Sequence, residues 1–373
     1  MQDGRVTVGR TLRTNWFLGV LVAFLIALPF IVAELTGSSP YGIERGSRII
    51  MRGESAFWMA LLIEVFALTV FVMSYNLMFG FTGVISFGHA LFFGLGGYTL
   101  GMLLQYTALD PNLALVLAVL LTLVLTGLSA LLIGLATLRL RGVYFAIFTL
   151  AVAEMVWIFV GRWAVTNGED GFAIDRLPAW IDPSSNRLTL YYIGLFLFVF
   201  TFLFIRRIVN SPTGSVFQAI RENEDRARAI GYHTLRYKLV AIIIAGMMAG
   251  GAGMLHGILN KKIGPEMFSV SYTVDALLMT IIGGVGTFTG PVIGAAGLHL
   301  TETLTRDIVI PLGFTSLRVG DSWLLIQGLI FVIVVMVFPF GLVGTWNRLR
   351  MRFRRRPAQA ATKSSGKNVK SAG

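Results

Sequence analysis

Seven ionisable side chains lie in or beside long apolar stretches of the sequence. A charge at the centre of a membrane helix costs about 2.5–3.5 kcal/mol on insertion scales, so such groups face a bundle interior, a cavity or the membrane interface. They are suited to a polar path or gate, but equally to hydrogen bonds between helices, and the residue types leave both readings open. The seven are Glu64, Glu154, Asp275, Glu302, His89, His256 and His299.

Three of these groups are the candidates for a pathway or gate. His89 lies in a glycine-rich predicted helix, and Glu154 lies about 12 residues into the predicted span 142–161. Asp275 lies near the start of the apolar region 273–305. Their spacing does not align them as a proton relay. No metal-ligand pattern joins them, and no catalytic acid, base and nucleophile converge by spacing.

The stretch GGVGTFTGP (283–291) interrupts an apolar region that runs over 273–305. Glycine weakens a helix by about 1 kcal/mol and proline by about 3 kcal/mol, so this stretch should break it. Non-helical backbone at membrane depth persists only where protein buries it or where it lines a wet cavity. We therefore add five residues of this break to the candidate pathway or gate: Gly283, Gly284, Gly286, Gly290 and Pro291.

A charged segment follows the uncharged run 188–205 and reads GSVFQAIRENEDRARAIGYHTLRYK (214–238). Within 215–231, apolar residues recur at three- and four-residue steps, which predicts one short amphipathic helix ending at Gly231. The polar face carries both acids and arginines. Helices that rest on membranes are mostly basic there, so mixed charge favours docking to a protein over resting on lipid.

The composition is that of a polytopic membrane protein. The 373 residues are 55% hydrophobic and 13% charged, whereas soluble domains carry roughly a quarter charged residues. The net charge of +12 lies in membrane-flanking loops and a tail, which argues against nucleic-acid binding. There are no cysteines, and no G-x-x-x-x-G-K-[ST] motif for ATP, so we expect no catalytic residues and no cofactor on this chain.

Uncharged runs of about 20 residues predict an all-α bundle of about 8–10 transmembrane spans. We expect the residue range 273–305 to form two short helices or a re-entrant hairpin, and the first span to be retained rather than cleaved. The predicted spans are 16–35, 57–79, 84–104, 112–136, 142–161, 188–205, 239–259 and 323–346.

Basic residues predict the orientation, because Lys and Arg concentrate in cytoplasmic loops. With both termini cytoplasmic, 21 of the 31 Lys and Arg residues lie inside, Arg139 and Arg141 among them. This divides the chain into a cytoplasmic N-terminus (1–15), a membrane domain (16–346) and a basic tail (347–373), which we expect to be disordered and lipid-facing. The loop 162–187 is then external, and 215–231 cytoplasmic.

Four stretches, in order, resemble the permease subunits of high-affinity branched-chain amino acid ABC transporters. They are NLMFGFTGVISFGHALFFGLGGYT (76–99), LRLRGVYFAIFTLAVAEM (138–155), AIRENEDRARAIGYHTLRYKLVAIIIAGMMAGGAGMLHG (219–257) and LLMTIIGGVGTFTGPVIGAA (277–296). The resemblance covers roughly 75–345 and implies a type II-like importer bundle with broken helices.

The resemblance also implies partners. Segment 215–231 is similar to the coupling helix that sits in a cleft of an ATPase subunit. The complex implied is a second homologous permease, two ABC ATPases carrying ATP and Mg, and an extracytoplasmic substrate-binding protein, in a bacterial inner membrane. The coupling residues implied are Phe217, Ala219, Ile220, Arg221, Glu222, Glu224, Asp225, Arg226 and Gly231.

Two points stay open at the level of sequence. The family often has TGG-x-x-G after the fifth span, whereas this chain has TNGEDG (166–171), with Asn167 at the second position. The solute is also open, because relatives carry urea or short amides and the binding protein largely selects it. A different class, an ion-coupled secondary transporter using Glu154, Asp275 and His89, is the further alternative.

Overall fold

The computed structural model describes residues 5–45, 48–51, 53–137, 140, 142–311, 316–346 and 348–350. Arg139, Arg141, residues 1–4 and the predicted tail from residue 351 lie outside these ranges. The chain divides into two units, residues 1–274 and residues 275–373. The described part is mostly helical, as predicted. Its helices are α1 (Arg5–Thr36), α2 (Glu54–Asn76), α3 (Ala90–Tyr106), α4 (Pro111–Thr137), α5 (Val143–Gly161), α6 (Arg187–Val209), α7 (Pro212–Glu222), α8 (Glu224–Ala229), α9 (Thr234–Asn260), α10 (Val270–Gly283), α11 (Gly290–Thr305) and α12 (Trp323–Val337).

Seven helical segments of the described residues are long and apolar enough to cross a membrane. They coincide with seven of the eight predicted spans, so the prediction of a multi-pass helical membrane protein is confirmed. The first helix begins at Arg5, earlier than the predicted span start at residue 16. The eighth predicted span, 84–104, corresponds to α3, which is shorter than predicted.

Short antiparallel ribbons accompany the helices. They pair β1 (Ile43–Arg45) with β2 (Arg48–Ile50), β3 (Phe172–Ala173) with β4 (Lys262–Ile263), and β5 (Val309–Pro311) with β6 (Ser316–Arg318). The β3–β4 ribbon matters most here, because it fastens the predicted external loop 162–187 to the residues that follow α9.

Helix α2 lies at the centre of the first unit and is buried almost all round. Of its span, 72% is buried, against 6% for α1, which places α1 at the periphery. Helix α9 packs beside α2 and α3. Small residues at four-residue steps along α9 are all buried: Ala241, Ala245, Ala249, Gly253 and Gly257.

The contact between α3 and α9 is backbone against backbone. A Cβ added to Gly253 would overlap the carbonyl of Phe93, and a Cβ added to Gly96 would overlap the carbonyl of Gly250. Small residues allow this approach, which replaces the hydrophobic driving force that helices lack in lipid. The α3–α9 interface therefore tolerates no side chain at these glycines.

The prediction that residue range 84–104 is helical throughout, with His89 inside it, is wrong. After α2 the chain forms a π-helical turn at Leu77–Phe81, turns at Gly83 with φ +75°, and continues without helix to His89, which caps α3. A positive φ favours glycine, because other residues are strained there.

Side-chain hydroxyls replace the missing helical hydrogen bonds of this break. The Thr149 hydroxyl accepts a hydrogen bond from the Phe87 amide at 3.2 Å. The Ser86 hydroxyl accepts one from the Gly88 amide at 3.2 Å, and the Thr273 hydroxyl accepts one from the Ala90 amide at 2.9 Å. An unsatisfied backbone group at membrane depth costs several kcal/mol, so these hydroxyls allow the non-helical segment to persist.

The apolar region 273–305 contains two short helices, α10 and α11, separated by the glycine-rich break; this arrangement is compatible with both predicted alternatives. At 14 and 16 residues they are about 21 and 24 Å long, short of the roughly 30 Å of hydrocarbon. In the second unit, Gly294 lies against the Met279 carbonyl and Gly283 against Gly290. The pair is a tight helical hairpin.

Loop 162–187 and the α7–α8 segment lie at opposite ends of α2. Near the start of α2, Arg187 donates to the Ala56 carbonyl at 3.0 Å. Just past the end of α2, Arg221 donates to the Gly80 carbonyl. The loop end is further tied by the Lys261 ammonium, 3.3 Å from the Asp182 carboxylate.

We predict that Gly253→Val disrupts the α3–α9 contact, lowering stability by about 3 kcal/mol or preventing folding, because the new side chain meets the Phe93 backbone. The control is Gly297→Ala, where a Cβ would meet open space and a helix-favouring residue is gained. Thermal unfolding of the purified chain in detergent measures both. Equal melting temperatures for Gly253→Val and the unmodified chain would contradict the close contact.

Candidate functional site

The predicted amphipathic segment 215–231 is two helices rather than one. Helix α7 ends at Glu222, and Asn223 (φ −161°, ψ 102°) separates it from α8. The Asn223 carboxamide oxygen accepts from the Arg226 amide at 2.8 Å. Asparagine is a strong N-cap and a poor interior helix residue, so a helix break here has a local cause.

Caps also define both outer ends of this helix pair. At the start, Pro212 occupies the first turn of α7 and the Ser211 hydroxyl accepts from Gly214. At the end, Gly231 has φ +98°. The Gly231 amide donates to the Arg228 carbonyl, and the Tyr232 amide donates to the Ala227 carbonyl. This is the Schellman arrangement, and it confirms the predicted helix termination at Gly231.

One face of the pair is buried within the chain. Val216, Ile220 and Ala227 form a small apolar cluster with Tyr237 packed against it, and the fully buried Phe217 meets the Tyr237 ring edge-on. The predicted coupling residues Phe217 and Ile220 therefore hold the pair to its own subunit. Ala219 is half-buried. The exposed charged residues of the segment are Arg221, Glu222, Asp225, Arg226 and Arg228, and Gly231 is exposed as well.

Arg221 is exposed, and it also makes a contact within the chain. Its guanidinium donates to the Gly80 carbonyl in the π-helical turn, and the Arg221 backbone lies so close to Gly83 that a Cβ there would be 3.3 Å from the Arg221 Cα. The end of α7 is thus fixed to the turn between α2 and the break.

Glu224 is engaged within the chain as well. Its carboxylate lies 2.6 Å from the Lys238 ammonium on α9 and 3.3 Å from Arg228. Burial alone would raise the pKa of Glu224, but the hydrogen bond and charge of Lys238, the Thr234 hydroxyl and Arg228 outweigh burial and lower it. Helix α8 is thereby held to the start of α9.

The candidate pathway residues have separate neighbours. His89 is fully buried, with a ring nitrogen 2.8 Å from the Ser74 hydroxyl, and is enclosed by the aromatic rings of Phe71, Tyr75 and Phe92. It follows the break directly. This packing makes His89 a structural support of the broken helix.

Glu154 and Asp275 lie in different surroundings from His89. Glu154 is half-buried on α5, and no hydrogen bond or ion pair joins it to another described residue. Asp275 accepts from the Gln327 amide of α12 at 2.8 Å. His89, Glu154 and Asp275 therefore share no hydrogen bond or ion pair among the described residues.

The glycine break 283–291 is an ordered turn. Gly284 and Gly286 have φ +127° and +73°. The Thr287 hydroxyl donates to the Gly284 carbonyl at 2.7 Å and accepts from the Gly290 amide at 3.0 Å. Pro291 lies in the first turn of α11, where its missing amide proton costs nothing.

A largely buried acid–imidazole pair lies outside the predicted pathway or gate residues. Glu64, near the middle of α2, and His256, on α9, approach to 2.5 Å, and the Tyr272 hydroxyl lies 3.4 Å from the other His256 ring nitrogen. The only sequence signal was that each is an ionisable residue in an apolar span. Their separation of 192 residues hides the pairing from any local pattern.

Asn167 in the loop has a structural reason to differ from the family motif. It adopts the left-handed conformation at φ 61°, and its amide donates to the Gly171 carbonyl at 3.2 Å. Apart from glycine, asparagine is among the few residues that reach this conformation at low cost. The substitution therefore preserves the turn.

Comparison with known proteins gives one family. The family described as "Branched-chain amino acid transport system / permease component" matches residues 57–335. The chain is 28% identical over 326 residues to the high-affinity branched-chain amino acid transport system permease protein LivM of Salmonella typhimurium, covering 80% of this chain and 70% of that protein.

More distant relatives include both permease types. The probable branched-chain amino acid transport permease LivM of Methanocaldococcus jannaschii is 24% identical, over 73% of this chain and 88% of the relative. The LivH permease of Salmonella typhimurium is also 24% identical, over 73% of this chain and 89% of the relative. No solved structure gives a significant match to the chain.

We predict that the α8–α9 contact weakens at acidic pH. Because the folded-state pKa of Glu224 is lowered, its contribution is complete above the ordinary glutamate pKa of about 4.3 and is lost as pH falls below that value toward the folded pKa. A spin label at Ala229→Cys should gain mobility over this range, measured by electron paramagnetic resonance. The chain has no native cysteine to interfere.

Two variants make this prediction specific. Glu224→Gln should give the mobile spectrum already at pH 7, and a label at Ser215→Cys on α7 should change little. An Ala229 label whose mobility is the same in Glu224→Gln and the unmodified chain would argue against the contact.

Proposed function

The chain belongs to the family of branched-chain amino acid transport permease components, and we propose that it is one of two membrane subunits of an ATP-driven, binding-protein-dependent importer. Its solute would be branched-chain amino acids, which the names of the LivM and LivH relatives state, or related neutral amino acids. Urea or short amides are the alternative. The proposed complex has a homologous second permease, two ATPases that bind ATP and Mg, and an extracytoplasmic binding protein.

The observation that carries this proposal is the helix pair α7–α8. Its apolar face is used inside the chain, while its outward face presents exposed side chains of both signs, such as Glu222, Asp225 and Arg226. A mixed-sign surface is poorly matched to an anionic bilayer and well matched to a protein groove. The pair is the surface that we assign to an ATPase subunit.

The same pair has two fixed connections to the membrane helices. Arg221 joins α7 to the turn after α2, and Glu224 joins α8 to Lys238 on α9. A displacement of the pair would reach both central helices. Directional transport then requires the ATPases and the binding protein to bind the two states of the subunit with different affinity.

The loop 162–187, at the opposite end of α2 from the helix pair, is suited to contact a different partner. The loop 162–187 is folded onto the α9 end by the β3–β4 ribbon and the Lys261–Asp182 ion pair. It is acidic in its first half, with Glu169 and Asp170 exposed. We assign this ordered, extracytoplasmic surface to the substrate-binding protein, with both chain termini on the cytoplasmic side.

We predict that Glu222→Lys combined with Asp225→Lys weakens ATPase docking, because two exposed charges on the proposed interface are reversed. Coupling energies of about 1.5–7 kcal/mol are measured for close charge pairs at an interface, so we expect at least tenfold less ATPase co-purifying with the permease pair. The measurement is quantitative co-purification from cells that express all subunits. Binding-protein-stimulated ATP hydrolysis should fall in parallel.

The matched control reverses two exposed acids elsewhere, Asp307→Lys with Asp321→Lys, and should leave ATPase co-purification unchanged. Glu224 is avoided, because its loss would loosen α8 irrespective of docking. Normal co-purification and normal stimulated hydrolysis in the Glu222/Asp225 variant would remove the docking role.

Arg221 is exposed too, but its guanidinium is hydrogen-bonded within the chain, so it should behave differently from Glu222 and Asp225. We predict that Arg221→Gln keeps ATPase co-purification within about twofold but lowers leucine uptake by at least tenfold, because it removes the hydrogen bond that joins α7 to the Gly80 carbonyl inside the subunit. A charge-assisted hydrogen bond contributes about 1.5–3 kcal/mol. The loss is measured as uptake of radiolabelled leucine into proteoliposomes that contain the complete transporter. Uptake of radiolabelled urea in the same proteoliposomes compares the two candidate solutes.

The conservative variant Arg221→Lys should recover part of the uptake, since an ammonium still donates to a carbonyl. Loss of ATPase association in Arg221→Gln, at unchanged folding, would instead make Arg221 part of the docking surface.

A further inference from the structure

A groove of about 880 Å³ runs between α1 and α6 on the outside of the first unit. Two tyrosine hydroxyls fasten the helices at one end, where Tyr191 donates to the Leu25 carbonyl at 2.6 Å and Tyr192 to Ile26 at 3.1 Å. Beyond this fastening, space is left between the helices.

The groove has an apolar part and a cationic end. Its walls carry Val22, Ala23 and Ile26 from α1 and Phe198, Phe202 and Leu203 from α6. At the end of α6 it is lined by Arg206 and Arg207, followed by Asn210 and Ser211. Neither arginine has an acidic partner among the described residues.

The length of the groove corresponds to one membrane leaflet. Phe198 lies near the middle of α6, and the eight residues from Phe198 to Arg206 rise about 12 Å. Half of the roughly 30 Å hydrocarbon thickness is about 15 Å. When α6 spans the membrane, the apolar walls lie at acyl-chain depth, and the two guanidinium groups lie at the depth of lipid phosphates.

We propose that this groove binds one anionic glycerophospholipid, with its phosphate between Arg206 and Arg207 and an acyl chain along the apolar walls. Guanidinium groups match phosphate oxygens in charge and geometry. The apolar walls then distinguish a lipid from free phosphate. Basic pockets between transmembrane helices are a recognised form of lipid site.

The site adjoins the start of α7. Ser211, at the cationic end, accepts from the Gly214 amide and so caps α7. A headgroup bound at Arg207 lies within one helical turn of this cap. The lipid therefore contributes to holding the first turn of the helix pair at the membrane surface. This inference stands independently of the proposed transport role.

The test is lipid binding by the purified full chain in detergent, followed by native mass spectrometry with added phosphatidylglycerol or phosphatidylcholine. Each arginine near a headgroup contributes about fivefold in affinity, so Arg206→Gln with Arg207→Gln should bind phosphatidylglycerol about 25-fold more weakly. The matched control, Arg236→Gln with Arg350→Gln, removes two exposed arginines outside the groove and should keep the affinity.

A second pair of variants tests the groove rather than its charge. Ala23→Trp fills the apolar part from an exposed position, and Val199→Trp fills it from α6; each should lower phosphatidylglycerol affinity at least tenfold without loss of folding. Unchanged affinity in both would reduce the site to surface charge and overturn the proposal. Equal binding of phosphatidylcholine by the unmodified chain would also overturn it.

The fully assembled complex gives a separate check. A cross-linker on Leu203→Cys should react with lipid and not with protein. A cross-link from this cysteine to the companion permease would assign the groove to a protein partner and overturn the lipid assignment.

Discussion

A backbone at membrane depth must find hydrogen bonds inside the protein, and the centre of this subunit depends on how residue range 77–89 meets that demand. Hydroxyls from Thr149 and Thr273 accept from amides that a continuous helix would have satisfied. Arg221 supplies a donor to the Gly80 carbonyl from outside the span. The break is therefore stabilised from three separate elements, α5, α10 and α7. Any change in their arrangement alters the hydrogen bonds available to the break.

The close contact of α3 with α9 makes this arrangement rigid on the far side of the break. Glycines bring the two backbones together, and His89, at the first turn of α3, is fixed by Ser74 and three aromatic rings. The break lies between a tightly packed helix pair and the connection to α7. The buried Glu64–His256 pair lies within the same packed region and joins α2 to α9. Replacing only one member of such a pair leaves the other polar group buried, which is strongly destabilising.

Much of the fold follows from the sequence because uncharged runs and glycine–proline clusters are local signals. Seven spans and the turn at 283–291 were predictable on that basis. The break before His89 was not, since its acceptors lie 62 and 183 residues away. The Glu64–His256 contact was hidden for the same reason. Asn223 is different: a cap residue followed by Glu224 and Asp225 is a local helix-start signal, and the strong overall periodicity of 215–231 concealed it. The intrachain roles of Arg221 and Glu224 depend on tertiary contacts.

The division of the charged segment at Asn223 has a mechanical consequence. Helix α7 is attached to the turn after α2, and α8 is attached to α9, while Val216, Ile220 and Ala227 pack the two short helices against each other. A load centred on the pair therefore reaches both attachment points. A load applied off-centre tilts the pair about Asn223 and shifts one attachment point more than the other. The position of an applied force, as well as its size, thus selects which motion enters the membrane.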